Sequence, residues 1–345
     1  MAQARRQCTV SANVDKEGSA CFDLKFVQPF HGVLAAASLG SSSVSTEFAL
    51  RLDSEHSSKR GLLFGTEFAR QSKELAACGY VDLCTQSLCH VSGKFWNGTW
   101  RLTTDWSLRD LDMKTSHQPS VALQQERLRS LKTSLKACLS FRYTQFTAEL
   151  AGPPGDVAFG KLAATAEATT ALKLRSGSGS GSDAFWQLHL AGVMGLLLPV
   201  GKSCAQERFH LGGASGPWAL KGFAENGAEP RARRMSETLP KDKEHNALGG
   251  EALASAFLGA SRPLDIPSLE GLRLMVFTSL GVLHPSIQRG AVWPSLSPLR
   301  ASLGCGLALP LGPGMLELTF TQPVRWVEHD VRQRWQFGLR LQALG

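Results

Sequence analysis

The ten residues Trp100-Arg-Leu-Thr-Thr-Asp-Trp-Ser-Leu-Arg109 alternate with a period of two. Trp100, Leu102, Trp106 and Leu108 share one face, and Arg101, Thr103, Asp105, Ser107 and Arg109 share the other. Successive side chains of a strand point to opposite faces, so this is a strand with one apolar and one polar side. The pattern recurs in both directions. Phe22, Leu24 and Phe26 alternate with Cys21, Asp23 and Lys25, and Phe48, Leu50 and Leu52 with Glu47 and Arg51. Leu135, Ala137, Leu139, Phe141 and Tyr143 oppose Lys136, Cys138, Ser140 and Arg142. Trp186, Leu188 and Leu190 oppose Gln187 and His189; Leu316, Leu318 and Phe320 oppose Glu317, Thr319 and Thr321. Trp335, Phe337, Leu339 and Leu341 oppose Gln336, Arg340 and Gln342. So many alternating runs predict an all-β chain.

Two architectures produce such strands. A soluble sandwich buries its apolar faces between two sheets. A membrane barrel turns them to lipid and keeps a polar interior. Several runs reach about 9–10 residues, the length that crosses a bilayer obliquely. Trp100, Trp106, Trp186 and Trp335 sit on apolar faces, where an interfacial aromatic belt would place them. The opposite faces carry Arg, Lys, Asp and Glu, which suits a watery lumen. The expectation is a transmembrane antiparallel β-barrel. No window approaches about 18 apolar residues, so no transmembrane helix is expected. The most apolar stretch, Ala191 to Val200, contains Gly195 and Pro199.

Composition narrows the function classes. Of 345 residues, 37 are basic and 29 acidic, giving +8. The basic residues are scattered, which argues for a solvated surface and against nucleic-acid binding. The eight cysteines include no Cys-x-x-Cys pair, so neither a zinc site nor a disulfide framework is expected, and reduced thiols are preferred. The first residues, Met1 to Gln7, lack an apolar core, so no cleavable secretory signal is visible. His56, His90, His117 and His189 are isolated, and Gly304-Cys-Gly306 lacks the context of a nucleophile elbow. No catalytic set and no cofactor or metal site is expected; the chain does not read as an enzyme.

Punctuation follows the strands. Asp15-Lys-Glu-Gly18 reads as a hairpin turn between strands near Gln7–Asn13 and Ser19–Phe26. Ser176 to Ser182 is a flexible Gly/Ser insert. Glu225 to Leu248 and Pro285 to Pro298 read as long loops. Val121–Lys132 is a helical alternative, read as a short loop helix before the next strand. No domain boundary and no exact repeat is visible, so 1–345 is read as one barrel domain.

One loop carries the most specific signal. Arg208-Phe-His-Leu-Gly-Gly213 is followed by Leu220-Lys-Gly-Phe223. Gly212, Gly213 and Gly222 permit positive φ, and Lys221 and Phe223 bring a cation and a ring to the tip. From about Phe141 onward the chain resembles the outer-membrane β-barrel insertase superfamily. That superfamily includes bacterial BamA, the chloroplast Toc channel and the barrel subunit of the mitochondrial sorting and assembly machinery. Its mitochondrial branch fits best. The resemblance rests on Glu149-Leu-Ala-Gly152, Leu198-Pro-Val-Gly201, Phe209, Leu211, Gly212, Gly213, Leu248-Gly-Gly-Glu251, Arg262-Pro-Leu264, Arg300-Ala-Ser-Leu-Gly304, Leu311-Gly-Pro313 and Gln336-Phe-Gly338. The family usually has Arg at the position of Lys221, and Phe277-Thr-Ser-Leu-Gly281 carries Ser279 where a larger polar residue is usual. The family's soluble POTRA module is not evident.

The resemblance implies a barrel of 16 strands with the loop folded into its lumen. It implies insertion and assembly of β-barrel precursors in the mitochondrial outer membrane, with accessory sorting-and-assembly subunits, membrane lipid and no nucleic acid. Lys221 is expected inside, with Glu251 its first candidate partner and Ser279 and Glu317 the next. A lateral gate is expected between the first and last strands, involving Gln7, Thr9, Ser11, Gln336, Gly338 and Leu341. The alternative is a passive outer-membrane pore or protein-translocating channel, including one of the plastid envelope.

Overall fold

The computed structural model describes residues 7–14, 20–30, 33–41, 45–54, 62–75, 77–113, 119–126, 128–173, 185–200, 204–214, 219–234, 245–264, 266, 269, 271–286, 299–311 and 314–341. The Gly/Ser insert Ser176 to Ser182 and the turn Asp15 to Gly18 lie outside them, as do the side chains of Gln7, Thr9, Ser11 and Leu341. The chain forms two compact units. Unit 1 comprises Met1–Leu162, Leu197–Glu207 and Ala232–Leu239; unit 2 comprises Ala163–Leu196, Arg208–Arg231 and Pro240–Gly345.

Unit 1 is an antiparallel meander. Its strands are β1 (Gln7–Val14), β2 (Ala20–Phe30), β3 (Val33–Ser41), β4 (Ser45–Ser54), β5 (Leu63–Leu75), β6 (Tyr80–Phe95), β7 (Gly98–Asp112), β8 (Arg129–Phe141) and β9 (Thr144–Ala151). Each pairs with the next in sequence. Nearest-neighbour pairing needs only short connections, as the turn signals anticipated. β10 (Phe159–Lys173) follows.

Unit 2 continues the antiparallel pattern. β11 (Phe185–Pro199) pairs with β14 (Ala252–Pro263), and β15 (Arg273–His284), β16 (Arg300–Leu311), β17 (Gly314–Arg325) and β18 (Trp335–Leu341) follow in order. Between β11 and β14 runs the long insertion that carries the loop motif. Its stretch read as one loop, Glu225 to Leu248, contains two three-residue strands, β12 (Arg231–Arg233) and β13 (His245–Ala247).

Burial is inverted relative to a soluble sheet. On β7, Leu102, Trp106 and Leu108 are exposed while Asp105 and Ser107 are buried. On β8, Leu131, Leu135 and Leu139 are exposed while Ser130, Lys132 and Ser134 are buried. On β17 and β18, Leu318, Phe320, Trp335 and Phe337 are exposed, whereas Glu317, Thr319, Thr321 and Gln336 are buried. A sandwich would bury the apolar set and wet the polar one. Water could not support this arrangement; lipid around the apolar face does. β2, β4 and the twelve-residue strands β14 to β17 are long enough to cross a bilayer obliquely. Among the described residues, no helix is long and apolar enough to cross a membrane.

The helical alternative survives over one turn. α1 (Val121–Gln124) is capped by Ser120, whose hydroxyl accepts from the Leu123 N–H at 3.4 Å. From Arg129 the chain is strand. Ser130, Lys132 and Ser134 point into the polar interior of unit 1, and that tertiary gain overrides local helix propensity.

Candidate functional site

The loop motif is docked on the polar face of unit 2. Its entry is fixed by a two-way backbone bridge, in which Phe209 and Gly250 each donate to the other at 2.8 Å. The Phe209 ring lies over Gly195 of β11; a Cβ there would come within 2.6 Å of it. Gly212 and Gly213 have φ of 137° and 92°, as the Gly pair foretold. Leu211 and Leu220 are fully buried and close on Gly281, where a Cβ would meet both.

The tip follows from three contacts. Lys221 Nζ donates to Glu317 on β17 at 2.5 Å and to the Ala214 carbonyl at 3.0 Å. It also stands 5.6 Å from the centre of the Phe277 ring. Gly222 has φ of 93° and packs so closely that a Cβ would lie 2.8 Å from Thr321 Cγ2. Gln336 on β18 grips the backbone on both sides of this glycine. Its Oε1 accepts from the Gly222 N–H, and its Nε2 donates to the Phe223 carbonyl, both at 2.7 Å. Ser302 Oγ donates to the Lys221 carbonyl at 2.6 Å. Phe223 is completely buried.

The partner of Lys221 is therefore Glu317 rather than Glu251. Glu251 is buried and its N–H donates to the His284 carbonyl. Ser279 is buried opposite Ser302 in the β15–β16 ladder, beside the groups that hold the loop. Gly338, expected at the gate and as part of the final-strand signal, faces Glu317 across β17–β18.

Gln336 was also read as a gate residue; its side chain serves the loop. The segment before β18 reinforces it. Gln333 N–H donates to the Gly222 carbonyl, and Ala224 and Val331 join through the Ala224 N–H, all at 2.9 Å. Asp330 in that segment accepts from Arg300 Nε and Nη2 at 2.9–3.1 Å, a buried bidentate pair. Sequence alone gave no sign of these partners, because nothing local marks which residue a loop will reach.

Unit 1 holds a second polar centre, which sequence reading missed. Lys132 on β8 lies 3.1 Å from Asp105 on β7, 3.1 Å from Glu149 on β9 and 3.3 Å from Glu207. Glu207 ends a 3-10 turn, Ala205–Glu207, just before the motif. Its carboxylate also meets Arg109 at 3.1 Å and Lys161 at 3.9 Å. Burial raises its pKa, but Arg109, Lys132 and Lys161 outweigh that and hold it below the ordinary carboxylate value. Burial pushes the neighbouring Cys204 thiol up.

No cluster of three or more His, Cys, Asp or Glu among the described residues could hold a metal ion. Among the described residues, Cys78, Cys84, Cys89, Cys138, Cys204 and Cys305 are free thiols. Neither polar centre presents a nucleophile with a positioned base.

Comparison with known proteins places the chain. An Omp85 superfamily domain matches residues 9–340. Among solved structures, the crystal structure of BamA from Haemophilus ducreyi lacking POTRA domains 1-3 superimposes with a TM-score of 0.73. It is 15% identical over 97% of this chain and 75% of that one, so it attests the fold. None of the curated proteins matches significantly.

Proposed function

The chain belongs to the Omp85 superfamily, and on that premise we propose that it inserts and assembles β-barrel precursors in the mitochondrial outer membrane. Its fold is BamA-like. Sixteen of its strands, with the short β12 and β13 set aside, would close as the membrane barrel. The observation that carries the reading is the docked loop: Lys221 on Glu317, with Gln336 of the last strand gripping Gly222 and Phe223. A passive pore has no need of an internal loop tied to its terminal strand. The mitochondrial assignment is supported by the sequence pattern of the motif.

The physical logic is that of strand edges. Lipid cannot satisfy free backbone N–H and C=O groups, so a bare edge costs several kcal/mol per group. In this reading β1 and β18 form a seam that parts. A precursor strand then pairs with the exposed edge and is never bare in lipid. No bond is made or broken, so the task calls for no catalytic residue. Clients would be barrel precursors, and accessory subunits would present them.

The test is insertion of a radiolabelled barrel precursor into liposomes containing the purified chain. A cysteine pair joining β1 to β18, in a background without the native cysteines, should stop insertion, and reduction should restore it. Normal insertion by the crosslinked protein would end the gate reading. The polar cavity of unit 1 favours a second reading, a pore or translocating channel; a stable, substrate-selective conductance without precursor crosslinks would support it.

A further inference from the structure

Glu207 is a loop carboxylate surrounded by three cations that belong to the strands. Lys161 holds it twice, donating to its backbone carbonyl at 2.7 Å as well as facing its side chain. Arg109 holds the carboxylate and also donates to the Gln206 carbonyl at 3.4 Å. Lys132 is shared with Asp105 and Glu149, and Arg109 also faces Asp82, while Glu207 is common to all three cations.

The nest opens onto a polar cavity of about 510 Å³ inside unit 1. Six basic and four acidic side chains line it, and one of the four is Glu207. Three buried polar atoms on that lining, Asp105 Oδ1, Arg109 Nε and Gln206 Nε2, have no hydrogen-bond partner among the described residues. Buried polar groups are normally satisfied, so these atoms call for water or for a polar chain that enters the cavity. A polypeptide backbone offers both donors and acceptors. Withdrawing Glu207 would leave six basic groups facing three acidic ones.

We infer that Arg109, Lys132 and Lys161 form a carboxylate-binding site, filled in the resting chain by Glu207 and open to an Asp or Glu side chain of an entering polypeptide once Glu207 leaves. The ligand class rests on the proposed handling of precursor chains. Glu207 lies directly before Arg208, where the loop motif starts. Its displacement would free the chain just before the motif, upstream of the Phe209–Gly250 bridge.

The experiment uses the full chain in detergent. The probes are a fluorescent ten-residue strand-forming peptide with one central Glu and its Gln twin. An internal ligand lowers apparent affinity by the fraction of sites it occupies. Glu207→Gln should therefore bind the Glu peptide about tenfold tighter than the native chain or better, with the Gln peptide unchanged. Acetate should compete, and chloride at equal ionic strength should not. Adding Lys161→Met to Glu207→Gln should abolish the gain. Heat-modified electrophoretic mobility shows that each variant is folded. Equal binding of the Glu peptide by native chain and variant overturns the site, and so does an equal gain for both peptides. Liposome insertion is measured separately. If insertion fails while the gain stands, the site holds and its clients are not precursors; if insertion works without the gain, the function stands without this site.

Discussion

Lys132 of unit 1 stands among three carboxylates, Asp105, Glu149 and Glu207, whereas Lys221 of unit 2 has one, Glu317. Around Lys132 the remaining contacts are also charged, with Arg109 and Lys161 sharing Glu207. Around Lys221 they are the Ala214 carbonyl, an aromatic ring and the uncharged amide of Gln336 one residue away. The first centre is a network in which every charge depends on others. The second is a backbone clasp with one ion pair at its tip. Networks transmit the loss of one member, because each remaining charge is left in low dielectric. A clasp loses its contacts one by one.

Lys132→Met should therefore be the most damaging change. It removes the cation common to three carboxylates, and a buried charge left without its partner costs about 3–5 kcal/mol. The expected result is a failure to reach the compact, heat-modifiable form, or a large drop in the urea midpoint. A variant as stable as the native chain would show that the network is dispensable.

Lys221→Ala strands one carboxylate and should cost less than Lys132→Met, with reduced precursor insertion. Lys221→Arg should be tolerated, since a guanidinium gives Glu317 a planar fork. Equal loss in the Ala and Arg variants would mean that the site demands an ammonium rather than a positive charge.

Gln336→Ala comes next. It leaves the Gly222 N–H and the Phe223 carbonyl unsatisfied, at about 1–3 kcal/mol for each buried group. Other backbone bonds to the loop remain, so the chain should fold while hydrogen exchange at Gly222 rises. Unchanged exchange would show that the segment before β18 holds the loop alone.

The smallest effect expected is that of acid on Glu207. Its folded pKa is depressed, so its contribution is complete above the unfolded carboxylate pKa and is lost as pH falls through the lower folded value. Hydrogen exchange of the Cys204–Glu207 segment should rise only below the ordinary carboxylate range. Loosening at neutral pH would contradict the cation nest.

Much of this was legible in advance for a physical reason. Period-two alternation is local, and so the strands around Leu102, Leu135, Leu318 and Phe337 could be read directly. The glycines at 212, 213 and 222 could be read too, since positive φ is a demand on the residue itself. Lys221 was picked out by its motif. Its partner was not, because Glu251, Ser279 and Glu317 all have polar, inward positions and only the register of β17 against the loop selects among them. Glu207 gave no signal at all: a single Glu in a short turn looks like a solvated charge.

Alternation by itself fixed strand and face but not which face is buried, since sandwich and barrel share the pattern. Here the sequence determined the all-β character and the loop's backbone demands, both of which depend on neighbours in the chain. The three-dimensional structure decided that the polar faces are the buried ones, that Lys221 meets Glu317, that Gln336 serves the loop and that Glu207 sits among three cations. Those outcomes depend on groups dozens of residues apart, brought together by register and by the cost of leaving a charge or a backbone amide unpaired in a dry interior.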